Sequence, residues 1–117
     1  MAADQPHDAA WVLYPDGSSA DFRGYDQPEE MRPKMWWKFR HRHLKYRTLD
    51  LQFVLDRLLE LNEYKEDPLY NTMDDTRIAA CGHSFGGAAS GMFAQLDKRV
   101  TSVIMLDPWM WPMGRSV

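Results

Sequence analysis

The sequence predicts an α/β fold in which a parallel sheet is flanked by helices. Two apolar runs, Arg77 to Cys81 and Val100 to Leu106, have the length and composition of strands. The segment between them carries apolar residues at helical spacing: Ala88, Ala89, Met92, Phe93 and Leu96. A strand, a helix and a second strand in close succession are typical of a parallel crossover, and we expect the first strand to be buried on both faces of its sheet.

Upstream of this unit the sequence predicts a loop-rich lead-in and two helices. Residues 1–30 are polar and rich in Asp, Gln and Pro, with a strand predicted at Ala10 to Tyr14 before a turn at Pro15 to Gly17. Pro28 to Glu30 is expected to begin a helix that runs to about Arg47. A second helix then follows, and it has one apolar stripe that we expect to pack on the sheet: Leu51, Val54, Leu55, Leu58, Leu59 and Asn62.

The junction between the first strand and the following helix carries the pentapeptide Gly82-His83-Ser84-Phe85-Gly86. In this context the G-x-S-x-G pattern indicates a nucleophile elbow, a strained turn that exposes the serine Oγ at a helix N-terminus. We expect glycine on both sides of Ser84 because a side chain at Gly82 or Gly86 would collide with neighbouring backbone. The Phe85 backbone N–H would be one oxyanion donor. An ordinary glycine-rich turn is the alternative.

Asp107 directly follows the second predicted strand. The carboxyl ends of parallel strands meet at one edge of a sheet, where open α/β sheets place their sites. We therefore expect Asp107 and Ser84 on the same rim, where a carboxylate can orient the histidine that takes the serine proton. His83 is expected to pack or to form hydrogen bonds rather than act as the base, because adjacent positions of a strand point to opposite faces.

The chain carries two distinctive segments, Gly82 to Ala88 and the sequence Leu106-Asp107-Pro108-Trp109-Met110-Trp111-Pro112-Met113-Gly114. Together they resemble the platelet-activating factor acetylhydrolase family of α/β-hydrolases. The helix before the elbow is also similar, through Arg47, Asp50, Leu55, Asp56 and Leu58, so the resemblance covers about Arg32 to Gly114. It implies an α/β-hydrolase with Ser84 as nucleophile and Asp107 as triad acid. By this resemblance the substrate is the short or oxidised sn-2 ester of a phospholipid, hydrolysed through an acyl-enzyme without metal or cofactor.

Two parts of the family pattern are not found in the sequence. No histidine lies between Pro108 and Val117, and no His-Gly turn before Cys81 provides a second oxyanion donor. Because a complete α/β-hydrolase is far longer than 117 residues, we interpret residues 1–117 as part of one such domain, with a lead-in over about 1–30 and the helices, elbow and strands over about 31–117. Alone, the chain is expected to be inactive. The alternatives are another small-ester or polyester hydrolase and a non-catalytic pseudoenzyme or binding fragment.

The stretch Lys34 to Arg47 interleaves cations with aromatic residues. We expect a surface helix whose cations face water while Trp36, Phe39 and Leu44 pack inward. Contact with an anionic lipid interface is the alternative, and nucleic-acid binding is not expected. Two histidines in this stretch, His41 and His43, point apart on a helix, and metal binding is not expected.

Trp109 and Trp111 follow the predicted acid, where they would either wall an acyl pocket or fill the core behind the site. Cys81 is the only cysteine, and we expect it to pack within a buried strand.

The composition is that of an ordinary globular chain, with a net charge of −3 and 44% apolar residues. The sequence shows neither a signal-peptide pattern nor an apolar run of membrane-spanning length. Compartment and oligomeric state are left open.

Overall fold

The structure, a computed structural model, describes residues 3, 5–6, 9–23 and 33–114. They fall into two compact units, residues 1–32 and residues 33–117. The first unit contains a hairpin in which β1 (Trp11–Leu13) pairs antiparallel with β2 (Ser19–Asp21). The predicted strand and turn are confirmed, with Gly17 at φ +84° in the turn. β2 was not predicted, since three residues give too little pattern to recognise.

The second unit begins with one long helix, α1 (Pro33–Glu63). The prediction of two helices that meet near Arg47 is wrong: no glycine or proline interrupts the segment, and the helix continues for 31 residues. The start predicted at Pro28 to Glu30 lies outside the described residues. The predicted apolar stripe is confirmed, with Leu55 buried and its other members half-buried.

A parallel pair of strands follows α1. β3 (Ile78–His83) and β4 (Val100–Leu106) lie in a register that places His83 beside Leu106. The crossover between them is α2 (Phe85–Leu96), as predicted. The described residues thus form a small α/β unit with a two-stranded parallel sheet.

One face of this sheet is open in the described part of the chain. Exposure alternates along β3, so that Ala79, Cys81 and His83 are exposed. The prediction that β3 is buried on both faces is therefore wrong, and so is the packed position expected for Cys81. α1 and α2 cover the other face, and within residues 33–114 no further element covers this one. Leu96, at the end of α2, is also exposed.

Two buried clusters form the core of the second unit. One joins α1 to α2 through Leu44, Phe85, Ala88 and Ala89, and the other packs Leu55 and Phe93 against Val100 of the sheet. Small side chains on α2 allow the two helices to approach closely. None of the described helices is both long and apolar enough to cross a membrane.

The end of the sheet opposite Ser84 is fixed by an ion-pair network. Arg99 lies 2.7 Å from a carboxylate oxygen of Asp56 on α1 and also pairs with Asp97, which is buried at the end of α2. Hydrogen bonds from the Arg99 side chain lower the pKa of the Asp97 carboxyl below its ordinary value. This network links α1 to the start of β4.

Candidate active site

Ser84 lies at the junction between β3 and α2, in a conformation that residues with a Cβ atom rarely adopt. Its φ is +53° and its ψ is −119°. Its N–H donates to the Leu106 carbonyl at 3.0 Å, and its carbonyl accepts from Ala88 at 3.2 Å and from Trp109 at 2.9 Å. The Ser84 side chain makes no capping hydrogen bond to α2. The turn has the strained form that the motif predicts, with the hydroxyl not used in capping.

The glycines around Ser84 differ in how strictly they are required. A Cβ atom at Gly82 would lie 2.2 Å from the Gly86 carbonyl oxygen, so no other residue fits without movement of the backbone. At Gly86 a Cβ atom would meet nothing within 4 Å, and the expected collision there is wrong. The second crowded position is Gly87, where a Cβ atom would lie 3.0 Å from both the Gly82 carbonyl oxygen and Pro108 Cβ. Gly87 faces β3, whereas Gly86 does not.

Asp107 follows β4 directly and is exposed, with φ +42°. His83 and Leu106 are register partners, so the residues that follow them, Ser84 and Asp107, lie at the same edge of the sheet. The structure thus brings the two predicted site residues to one rim. A second positive φ at this rim indicates that the backbone is held there by its surroundings.

The segment that follows Asp107 is held by the first turns of α1. The Trp37 indole Nε1–H donates to the Trp111 carbonyl at 3.2 Å. His41 Nδ1 lies 2.7 Å from the Pro112 carbonyl oxygen, and because that oxygen can only accept, Nδ1 must carry the hydrogen. The Trp37 and His41 rings stack at 4.8 Å. His41 thus has a structural partner, and the described residues contain no cluster of three or more metal-binding side chains.

An aromatic and cationic cluster lies beside Ser84. The Arg40 guanidinium lies 4.3 Å from the Phe85 ring centroid, 4.8 Å from that of Trp109 and 5.4 Å from that of Trp36. The Arg47 guanidinium lies 4.8 Å from the Phe85 ring centroid, and burial lowers the pKa of Arg47 while the charge of Asp50 partly opposes this shift.

This cluster corrects the prediction for the basic stretch Lys34 to Arg47. Its exposed cations are Lys34, Lys38, Arg42 and Lys45, as expected, but Arg40 is buried and Arg47 is half-buried. The inward packing of Trp36, Phe39 and Leu44 is confirmed. A signal was available in the sequence: Arg40 lies one helical turn before Leu44 and two before Thr48, on the stripe that α1 buries.

The remaining candidate residues occupy different environments. Trp109 is half-buried against the cluster that contains Phe85, while Trp111 is exposed and stacks on Trp109 with 6.0 Å between ring centroids. Their role as pocket walls stays a prediction. His43 lies 5.6 Å from the Phe85 ring, and His83 is exposed on the open face of β3.

Comparison with known proteins gives the family. Residues 30–117 match the family described as platelet-activating factor acetylhydrolase, isoform II. The chain belongs to this family. The resemblance inferred from the elbow and the segment after β4 is thus confirmed.

Three similar proteins are each named platelet-activating factor acetylhydrolase. The protein from Cavia porcellus is 36% identical over 70 residues, which cover 60% of this chain and 16% of that protein. The protein from Bos taurus is 30% identical over 89 residues, covering 67% of this chain and 20% of that protein. The protein from Gallus gallus is 30% identical over 86 residues, covering 64% and 20%. The matched part of the chain therefore spans a fifth or less of these relatives.

Proposed function

We propose that this chain carries the nucleophile and the triad acid of a serine esterase with an α/β-hydrolase fold. The substrate class is phospholipids that bear a short or oxidised sn-2 acyl group. One observation carries the proposal: a serine in a G-x-S-x-G turn, at φ +53° on the rim of a parallel sheet, within the segment that matches the family. The names of the relatives support the same class of ester.

In this mechanism the Ser84 Oγ attacks the carbonyl carbon of the sn-2 ester while its proton passes to a histidine base. The Phe85 N–H donates to the oxyanion that forms. The tetrahedral species then releases the lysophospholipid alcohol, which takes the proton, and leaves an acyl group on Ser84. Water hydrolyses this acyl-enzyme to the free acid. Asp107 holds the histidine in the required tautomer and stabilises its protonated form.

We do not assign the base to any of the three histidines that the structure describes. His41 uses Nδ1 to bond the Pro112 carbonyl, His43 packs beside Phe85, and His83 lies on the open face of β3. We propose that the 117-residue chain alone lacks esterase activity because it supplies the nucleophile and acid without the base. Contact of Lys34 to Arg47 with an anionic lipid surface stays a prediction.

A chimera tests the proposal. Residues 30–117 of this chain, which match the family, replace the corresponding family segment of the Cavia porcellus relative. Hydrolysis of a short-chain nitrophenyl ester and labelling by a fluorophosphonate are then measured. We expect activity, with the label on Ser84. Asp107→Asn should lower kcat on the order of 10⁴-fold, and Ser84→Ala should abolish the labelling.

The matched control is Ser102→Ala, which changes an exposed serine of β4 and should leave activity as it was. A folded chimera that is inactive, or that is labelled at another residue, would contradict the proposal.

In the isolated chain, the rate of ester hydrolysis should equal that of its Ser84→Ala variant. A clearly higher rate would mean that one of the four histidines, His7, His41, His43 or His83, or a second copy of the chain supplies the base.

A further inference from the structure

Arg40 is a charged side chain within the buried stripe of α1. Its relative exposure is only 8%. Burial of a charge in place of an aliphatic side chain is unfavourable unless the charge gains strong contacts. A planar guanidinium is well suited to stacking on aromatic faces, and the Phe85 and Trp109 rings both lie within 5 Å of it.

The two rings belong to the two segments that form the candidate site. Phe85 directly follows Ser84, and Trp109 lies two residues after Asp107. The backbone joins the same segments, because the Trp109 N–H donates to the Ser84 carbonyl at 2.9 Å. The ring centroids of Phe85 and Trp109 are 5.8 Å apart. Arg40 thus contacts both segments at the point where they meet.

We propose that Arg40 is a positioning residue that holds the segment after β4 against the elbow. By stacking on Phe85 and Trp109 it sets the position of Asp107 relative to Ser84. Both of those residues have positive φ, +42° and +53°, and such conformations persist only where surrounding contacts maintain them. The consequence for catalysis rests on the proposed function, whereas the effect on the contact between Trp109 and Ser84 does not.

Amide hydrogen exchange, followed by NMR in the 117-residue chain, measures this contact. Two amides donate to the same Ser84 carbonyl, that of Trp109 from the segment after β4 and that of Ala88 from α2. We expect Arg40→Met to lower the protection of the Trp109 amide about tenfold and to leave that of Ala88 unchanged. Methionine fills a similar length but has neither the charge nor the planar face of arginine.

Two further variants complete the experiment. Arg40→Lys keeps the charge without the planar face, so the Trp109 amide should be protected to an intermediate degree. Arg42→Met removes an exposed cation from the same helix and should behave as the unmodified chain. If Arg40→Met does not fold, Arg40→Lys provides the decisive comparison.

The activity of the chimera tests the proposed function, and hydrogen exchange at the Trp109 amide tests the role of Arg40. Either proposal can therefore be contradicted without the other. The proposal is overturned if the Trp109 amide keeps its full protection in the folded Arg40 variants. It is equally overturned if the Trp109 and Ala88 amides lose protection together, because Arg40 would then contribute only to general packing. A selective loss at Trp109, graded from arginine through lysine to methionine, is the result that supports it.

Discussion

The two halves of the candidate site, the elbow (Gly82–Ala88) and the acid segment (Asp107–Gly114), reach their conformations by different means. The glycine requirement of the elbow is local, because Gly82 leaves no space for a side chain between itself and the Gly86 carbonyl. The acid segment is determined at long range, through contacts such as the bond from Trp37 to Trp111, which are 74 residues apart. A short motif can therefore specify the conformation of Ser84, whereas the position of Asp107 depends on a helix from far upstream.

The largest effect should come from Gly82→Ala. Its Cβ would lie 2.2 Å from backbone oxygen, which cannot rotate away as a side chain would, so we expect a loss of about 3 kcal/mol or more in the free energy of unfolding. Urea denaturation followed by circular dichroism measures it. Wild-type stability for this variant would show that the elbow can relax, and the local explanation would fail.

The same contrast explains which features could be predicted from the sequence. β3, α2 and β4 were predicted, and Ser84 was proposed as nucleophile, because strand composition, helical spacing and glycine placement are local signals. The length of α1 was missed although no glycine or proline interrupts the segment. The burial of Arg40 was missed because a charged side chain is expected to face water, and its contact with Trp109 lies far away in sequence. The open face of β3 was also missed, since the strand composition suits burial on both faces.

Trp37→Ala tests the long-range half of the comparison. The variant loses the stacking on His41, the hydrogen bond to Trp111 and the packing against Gly114. We expect the free energy of unfolding to fall by about 2 kcal/mol, less than for a fully buried tryptophan because this one is half-buried.

The control for Trp37→Ala is Met35→Ala, which truncates an exposed side chain of the same helix and should change stability by less than about 0.5 kcal/mol. Equal losses in the two variants would indicate that α1 does not hold the acid segment through Trp37.

A pH titration tests the ion-pair network of Asp97 and Arg99, which lies at the end of the sheet opposite the elbow and the acid segment. Because Arg99 lowers the pKa of Asp97 in the folded state, the stabilisation is complete above the unfolded-state pKa of about 4 and is lost as the pH falls through the lower folded-state value. We expect Asp97→Asn to remove about 1 kcal/mol of this acid-dependent stability.

The measurement for Asp97 is urea denaturation between pH 6 and pH 2, with Asp75→Asn as an exposed control. The site at the other end of the sheet should not respond, so the exchange of the Trp109 amide above pH 4 should be the same in both variants. An altered Trp109 amide in Asp97→Asn would mean that the ion-pair network and the acid segment are coupled.

The smallest effect, and the sharpest test of the local half, is Gly86→Ala. A Cβ atom there meets nothing within 4 Å, and alanine favours the helical conformation over glycine, so the free energy of unfolding should rise by about 0.5 kcal/mol. Gly87→Ala, one residue later, should instead lower it by about 1 kcal/mol, because its Cβ would press against the Gly82 carbonyl and Pro108 at 3.0 Å. Opposite signs at adjacent glycines would establish that the elbow is fixed by contact with β3 and the residue after Asp107. If Gly86→Ala and Gly87→Ala destabilise the chain equally, then glycine is required at Gly86 as well, as the G-x-S-x-G pattern alone predicts.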